Sequence, residues 1–547
     1  MNRLFVLSLV TALATAAPHQ VWGQTALTEQ TQSAEEPAAA VLSPMQMSIK
    51  QELTKLPVGN KAQKARATQI SGWYESRQYE PIWVENGKVS KNAEKTVLQL
   101  LTSYKDGLEP ADYASPHLVP GMKKFQAADL AAYEVKLSNA AVIYGQHLRS
   151  GRVAPNSINR EVKIFPERLS ADKLLDRLKA SKTPAVELAT LSPQTDRYAR
   201  LRDHLLALKL QQAGGGWIQV PEGEVLKPGM EDERIEALRK RLKQSGDLTS
   251  DVSGSNIYDD QLVEAVKKFQ ARLGLAIDGV IGPATLAQMN ITIDQRIDQV
   301  VLNLERRRWM QADFGRTYIF VNLADQVLKL VKDDDTLHAE LVQVGLPYHR
   351  TPVFSDQMSY LEFNPYWNVP YSIATKEYLP KLKRNPYALQ SQNIRVLSNG
   401  KSINPGSVPW GSYSRGNFPF RLRQDPGQKN ALGRVKFMFP NKFNVYIHDT
   451  PSKSKFAKDS RYFSHGCVRL RSPMDLAEKI LGMQGVSRTK IDNIVASKKR
   501  TVVKLKEKLP VHITYLTAWV NKDGSVHYRR DIYGRDKILA KALFVGT

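Results

Sequence analysis

The stretch Tyr462-Phe463-Ser464-His465-Gly466-Cys467-Val468-Arg469-Leu470 carries the only cysteine in 547 residues. A cysteine attacks a carbonyl as its thiolate. It needs a base, a group that orients the base, and donors for the oxyanion that develops. Two histidines are candidates for the base. His465 stands two residues before Cys467 and shares its face if the segment is extended. His448 ends the alternating segment Val445-Tyr446-Ile447-His448, and residue type alone does not choose between the two. Asp449 follows His448 directly. Neighbours along a strand point to opposite faces, so the Asp449 backbone carbonyl is a better orienter than its carboxylate. Gly466 permits unusual backbone angles and close approach of a substrate. The competing reading makes Cys467 a buried small hydrophobe, which requires neither Gly466 nor the helix start that follows. Zinc is a third reading, with His448, His465 and Cys467 as three ligands. No CxxC or HxxxH pair accompanies them, so no metal and no cofactor is expected.

The elements around these residues follow from pattern. Ser472-Pro473-Met474-Asp475 is a helix start, with Ser472 as N-cap and Pro473 at the first helical position. From Tyr318 the apolar period is two, which predicts strands with a turn at Asp333-Asp334-Asp335. Residues 358–441 are rich in Pro, Gly, Asn and aromatics and too long for a plain loop, so a capping subdomain is expected there. Val511 to Tyr533 reads as a hairpin with Lys522-Asp523-Gly524 near its turn. Upstream, residues 45–226 read as a helical scaffold with no titratable cluster; Leu137, Ala141, Tyr144 and Leu148 share a helix face. Gly214-Gly215-Gly216 and the segment to Gly229 mark a boundary. A three-helix unit follows at 230–292. Ile235, Leu238 and Leu242 line one face, Leu262, Val266, Phe269 and Leu273 another, and Pro283 starts the last helix. The fold class is multidomain α+β.

Composition narrows the function classes. Residues 1–23 have a basic start, an apolar run and small residues at a cleavage position, the pattern of a secretory signal peptide. Residues 24–44 read as a disordered linker. No later apolar run is long enough to span a membrane. The net charge is +24, and Arg488 to Thr547 holds 14 Lys and Arg against 5 Asp and Glu. Residues 498–547 are therefore read as a basic C-terminal extension. A basic balance suits a polyanionic partner, but export argues against nucleic acid. Anionic wall polymer, or a peripheral membrane contact at most, fits better; a solvated charge excess is the alternative.

Two segments resemble known families. Asp259 to Asn290, DDQLVEAVKKFQARLGLAIDGVIGPATLAQMN, resembles the three-helix type of peptidoglycan-binding domain. His448, a gap of fifteen residues, and then Ser464-His465-Gly466-Cys467-Val468-Arg469 resemble the signature of the L,D-transpeptidase (YkuD-type) catalytic domain, placed at 315–547. RQDPGQKNALGRVKFMFPNKFNVYIHDTP is also similar to the large Gram-negative subgroup typified by YcbB. The resemblance implies that Cys467 is the nucleophile and His448 the base, oriented by the Asp449 carbonyl. It implies that His465, Gly466 and the Cys467 N–H shape the oxyanion region. Arg469 is expected to hold a substrate carboxylate or to brace its own loop. Ser464, Tyr446, Trp367, Tyr371 and Trp410 are candidates for substrate contact, although core packing is the ordinary fate of such aromatics. The implied activity is periplasmic formation of 3→3 cross-links between a tetrapeptide donor and a diaminopimelate acceptor, with acylation by carbapenems. The same residues would serve an L,D-carboxypeptidase or attachment of a lipoprotein to the wall. A non-catalytic wall-binding protein is the alternative of another class.

Overall fold

The computed structural model describes residues 41–119, 127–250, 255–310 and 313–545. The expected signal peptide, and the linker as far as residue 40, lie outside them. The N-terminal region is helical, with longer helices at Pro44–Leu53 (α1), Lys61–Glu75 (α2), Lys91–Leu101 (α3), Ala127–Ser150 (α4), Ala171–Ala180 (α5) and Asp196–Ala213 (α6). Leu137, Ala141, Tyr144 and Leu148 of α4 are fully buried, as their shared face demands. The region does contain titratable groups in its core, contrary to the sequence reading. Glu134 is fully buried and accepts hydrogen bonds from Tyr74 Oη at 2.6 Å, Ile82 N at 2.7 Å and Trp83 N at 2.8 Å. Burial raises its pKa to about 7. No periodicity marks a single buried acid whose donors lie half a domain away.

The three-helix unit comprises Ile235–Gln244 (α7), Asp260–Leu273 (α8) and Pro283–Met289 (α9). Asp259 caps α8 by accepting from Leu262 N at 3.0 Å, and Gly274 ends it with φ +66°. Gln270 fixes the Asp278-Gly279 turn by accepting from Asp278 N and Gly279 N at 3.1 and 2.9 Å. A long helix, Ile293–Trp309 (α10), then leads into the C-terminal domain. No helix among the described residues is long and apolar enough to cross a membrane.

The C-terminal domain is predominantly β. Its strands are Thr317–Asn322 (β1), Val327–Lys332 (β2), Asp335–Gly345 (β3), Phe354–Phe363 (β4), Trp367–Asn368 (β5), Ile394–Ser398 (β6), Lys401–Ser402 (β7), Arg421–Gln424 (β8), Val435–Met438 (β9), Ile447–His448 (β10), Tyr462–Ser464 (β11), Val468–Leu470 (β12), Thr501–Thr514 (β13), Ala518–Val520 (β14) and Val526–Tyr528 (β15). The main sheet runs β11-β3-β12-β10-β9-β4-β13-β1-β2, and β2 also pairs with β3, so the sheet closes on itself. Its core is aliphatic, with Ile319, Val321, Leu361, Phe437, Ile447, Val468 and Ile513 buried together. The turn between β2 and β3 is made by Asp333 and Asp334, both at positive φ.

The sheet corrects three boundaries. The cap is narrower than 358–441, because Met358–Phe363 and Val435–Met438 are ladder strands of the main sheet. The cap proper lies between β4 and β9. It has its own four-stranded sheet, β5-β8-β6-β7, and its own aromatic core. Residues 498–547 are not an extension: β13 sits inside the main sheet, parallel to β1 and antiparallel to β4. Its lysines 504, 506 and 508 occupy exposed positions within its first eight residues. A register shift between Lys504 and Leu509 lets the ladder pass Pro510. The expected hairpin shrinks to β14–β15, since Val511–Thr514 belong to β13. That hairpin packs into the core of the three-helix unit through Ala518, Val520 and Tyr528.

Candidate active site

Strand β10 pairs in parallel with β12, Ile447 beside Val468 and His448 beside Arg469. Val468 N donates to Tyr446 O at 3.1 Å, which carries the register one step back to Tyr446 and Cys467. On the other edge β9 sets Lys436 beside His448. Period-two alternation then sorts the side chains. Ile447, Val468 and Phe437 enter the apolar core at 0% exposure. Tyr446, His448, Cys467, Arg469 and Lys436 share the opposite face. The alternation that keeps the sheet's core apolar therefore also gathers the chemistry.

Cys467 follows a tight loop. Ser464 Oγ donates to Cys467 O at 2.5 Å and accepts from Gly466 N at 3.0 Å. Gly466 has φ +118°, where a Cβ would be strained. Cys467 itself is partly exposed, with Sγ 3.9 Å from Asn444 O. Its N–H donates to no acceptor among the described residues and is free for an oxyanion. The Gly466 N–H is not free, because Ser464 holds it. Ser464 is 1% exposed and braces the loop instead of touching substrate, which corrects its expected role.

His448 Nδ1 lies 2.5 Å from Asp449 O. A carbonyl can only accept, so Nδ1 carries the proton and Nε2 presents its lone pair. The Asp449 carboxylate is engaged elsewhere. It accepts from Arg434 N at 2.8 Å, Thr450 N at 2.7 Å and Lys453 Nζ at 2.7 Å. A Cβ on Gly433 would fall 2.2 Å from Asp449 Cγ, so the glycine makes room for that carboxylate. Burial first, and the Arg469 charge second, push the pKa of His448 down to about 3. Burial also raises the Cys467 thiol, against the Tyr446 backbone, Arg469 and Lys436. At rest both partners are neutral.

His465 does not join Cys467. Its Nε2 sits 3.1 Å from Glu377 Oε1 of the cap, and its ring lies 5.0 Å from that of His349. The turn at Gly466 breaks the alternation that would have aligned the two. Arg469 is half-buried and its Nε is buried without a partner, so it is not the brace for loop carbonyls that Ser464 provides. Burial lowers its pKa, and Cys467 opposes that. Tyr446 lies 5.6 Å from the His448 ring and packs against the cap core. Burial and the neighbouring Cys467 raise its phenol. Trp367 and Trp410 are cap-core residues at 9% and 3% exposure; Trp410 Nε1 donates to Pro405 O at 2.8 Å. Neither is placed to bind peptide. Tyr371 is exposed, its hydroxyl bonded to Arg415 O at 2.6 Å.

Sequence reasoning missed Lys436, whose Nζ is 4.5 Å from the Tyr446 ring centroid and 3.4 Å from Glu362 Oε2. It also missed Glu377 and His349. Strand pairing brings Lys436 onto the face of Cys467, and the fold brings Glu377 and His349 to His465; no local spacing announces either. Among the described residues no group of three or more His, Cys, Asp or Glu is arranged to hold a metal.

Residues 316–505 match the model of the L,D-transpeptidase catalytic domain. The C-terminal domain is an L,D-transpeptidase catalytic domain. Residues 231–289 match a peptidoglycan-binding domain, and residues 68–205 match a scaffold domain. The matched catalytic domain thus follows segments that match a scaffold domain and a peptidoglycan-binding domain. A Haemophilus influenzae protein assigned as an L,D-transpeptidase is 35% identical over 254 residues, 46% of this chain and 50% of its own length. N-acetylmuramoyl-L-alanine amidase CwlL of Bacillus licheniformis is 38% identical over 63 residues, 12% of this chain and 18% of its own. The chain spans half or less of the length of these relatives. The solved L,D-transpeptidase of Xylanimonas cellulosilytica is 14% identical, with 54% of this chain and 99% of that chain covered at a TM-score of 0.17.

Proposed function

We propose that the protein is a periplasmic L,D-transpeptidase of the YcbB-like subgroup that forms 3→3 cross-links in peptidoglycan. The observation that carries this reading is the His448 tautomer, fixed by the Asp449 carbonyl on the strand beside Cys467. As a donor tetrapeptide enters, the Cys467 thiol passes its proton to His448 Nε2, and Sγ attacks the carbonyl before the terminal D-Ala. The Cys467 N–H meets the oxyanion. The carbon–nitrogen bond then breaks, His448 returns the proton to the departing D-Ala amine, and a thioester remains. The side-chain amine of a neighbouring diaminopimelate attacks the thioester, losing its proton to His448. The thiolate leaves and is reprotonated from His448. Arg469, with an unpartnered buried Nε, is placed to hold a substrate carboxylate. The cap, joined to the site by Tyr446 and the His465–Glu377 pair, limits water and so favours amine over hydrolysis. The periplasmic assignment rests on residues 1–23.

The test is incubation of the purified protein with tetrapeptide-rich sacculi, followed by mass spectrometry of the muropeptides. Release of D-Ala with new 3→3 dimers is the expected result. Tripeptides without dimers would make it a carboxypeptidase, and an unchanged profile would leave a wall-binding protein.

A further inference from the structure

Three consecutive arginines near the end of α10 meet different fates. Arg306 pairs with Asp536 at 2.5 Å. Arg308 pairs with Glu305 at 2.9 Å. Arg307 is 9% exposed, its Nε is buried without a partner, and among the described residues no ion pair or side-chain hydrogen bond reaches it. An unpaired buried charge is costly, and here its nearest charged neighbours repel it. Burial first, then Arg197 and Arg200, lower its pKa to about 9. Arg307 lines two adjoining cavities of about 360 and 500 Å³ between α6, strands β1 and β2, and the β14–β15 hairpin.

Most carboxylates on these walls are engaged by cations, Asp333 by Arg316 at 2.5 Å among them, while Asp523 accepts from Ser525 and Asp313 from Gly315 N. Asp334 binds Arg197. Asp335 pairs with Lys522 at 2.7 Å and Asp325 with Arg529 at 2.6 Å. Arg200 has the exposed Asp196 at 3.9 Å as its only acid and donates its Nε to Val520 O at 3.5 Å. The lining of the smaller cavity therefore presents two arginines without a close acid, and Trp519 adds a flat apolar wall.

We propose that this cavity binds an oxyanion, a carboxylate or a phosphate, between Arg307 and Arg200. Two sources share that chemistry: free phosphate, and the carboxylates of peptidoglycan stem peptides, the second resting on the function proposed above. The hairpin carrying Trp519 is packed into the core of the three-helix unit. A ligand in the cavity would touch the scaffold, that hairpin and the transpeptidase sheet together.

The test uses the full chain carrying Cys467→Ala, so that turnover plays no part. Inorganic phosphate is titrated against chloride at matched ionic strength, and a disaccharide tetrapeptide is titrated in parallel, by calorimetry and thermal melting. Saturable binding is expected that raises the melting temperature. Arg307→Met should weaken it by about tenfold or more and raise the melting temperature without ligand. Arg307→Lys should retain part of the binding. If Arg307→Met does not fold, Arg200→Gln on the cavity wall gives the same comparison. Arginine-dependent binding of both probes supports a general oxyanion site, and of the muropeptide alone a wall-peptide site. Titrations of both probes that neither variant changes would overturn the proposal. Because Cys467 is absent throughout, that failure would leave the transpeptidase reading untouched.

Discussion

At the junction of α10 with the scaffold, Glu305 and Arg308 are buried at 0% and 1% side-chain exposure, and their polar atoms are matched. Arg308 donates to Glu305 Oε2, Asp106 O and Tyr198 Oη at 2.9, 2.8 and 3.0 Å. Glu305 Oε1 accepts from Val153 N and Trp309 Nε1 at 3.0 and 3.1 Å. The polar face of β10 and β12 is the opposite. Arg469 Nε has no partner, Cys467 Sγ is held only by a 3.9 Å contact to Asn444 O and by Tyr446, and burial discourages charge on both Cys467 and His448. A satisfied network holds domains together and resists change. An unsatisfied one leaves bonds to be made when a substrate arrives, which is where binding energy can lower a barrier. Breaking the first should cost stability; breaking the second should cost activity.

The largest effect on this view is Cys467→Ala. It should remove product formation entirely while changing stability by no more than about 1 kcal/mol, since it deletes only a thiol from a partly exposed position. Muropeptide analysis and a melting curve check the two halves. Cross-linking above background by the purified variant would end the assignment.

Next is His448→Ala, with a loss of about 10²–10⁴-fold in turnover, the range for a general base. Asp449→Asn should cost less turnover per folded molecule, because the carboxylate serves Arg434, Thr450 and Lys453, not the imidazole. Its damage should appear in stability instead. Equal losses of turnover would mean that the side chain, not the carbonyl, orients His448.

At the satisfied network, Glu305→Ala should destabilise by about 3–5 kcal/mol, since it strands the buried Arg308 charge. Denaturant unfolding measures this, and turnover of the folded fraction should stay near wild type. Turnover that fell in step with His448→Ala would show that the two regions are coupled and would break the contrast.

How much of this was legible in the sequence follows the same division. The choice of the Asp449 carbonyl over its carboxylate came from alternation along a short strand, which is local; the choice of His448 over His465 came only from the family resemblance, since alternation alone favoured neither. The scaffold face of α4 and the caps and turns of the three-helix unit were local too. Ser464 was misread because its partners, Cys467 O and Gly466 N, exist only once Gly466 adopts positive φ. His465 was misplaced for the same reason. Trp367 and Trp410 were candidates for peptide contact with core packing as the ordinary alternative, and the cap core takes both, a choice the sequence could not make because it does not show which cap aromatics face one another. The basic tail concealed a central strand because β13 carries its lysines on the exposed half and crosses Pro510 through a register shift. Arg307, Arg308 and Glu305 stayed silent, since a charged residue on a helix looks solvated until the domains around it are in place.

The smallest expected effect is one of pH, and it separates two ways in which Cys467 could act. If the thiol had to ionise before attack, single-turnover acylation by a soluble tetrapeptide would climb about tenfold per pH unit between 5 and 8, following the thiolate fraction. The site argues otherwise. His448 is held near 3, so it is already an unprotonated base at pH 5. The Cys467 thiol is raised by burial, so it still carries its proton at pH 8. Neither partner changes state across that window, and the proton moves only as the carbonyl arrives. Acylation should therefore vary by less than about twofold from pH 5 to 8. Arg469→Met sharpens the test. The Arg469 charge is the second cause depressing His448, so its removal should raise the His448 pKa and shift the acid limb of the profile upward. A wild-type profile with unit slope over the same range would restore the preformed thiolate.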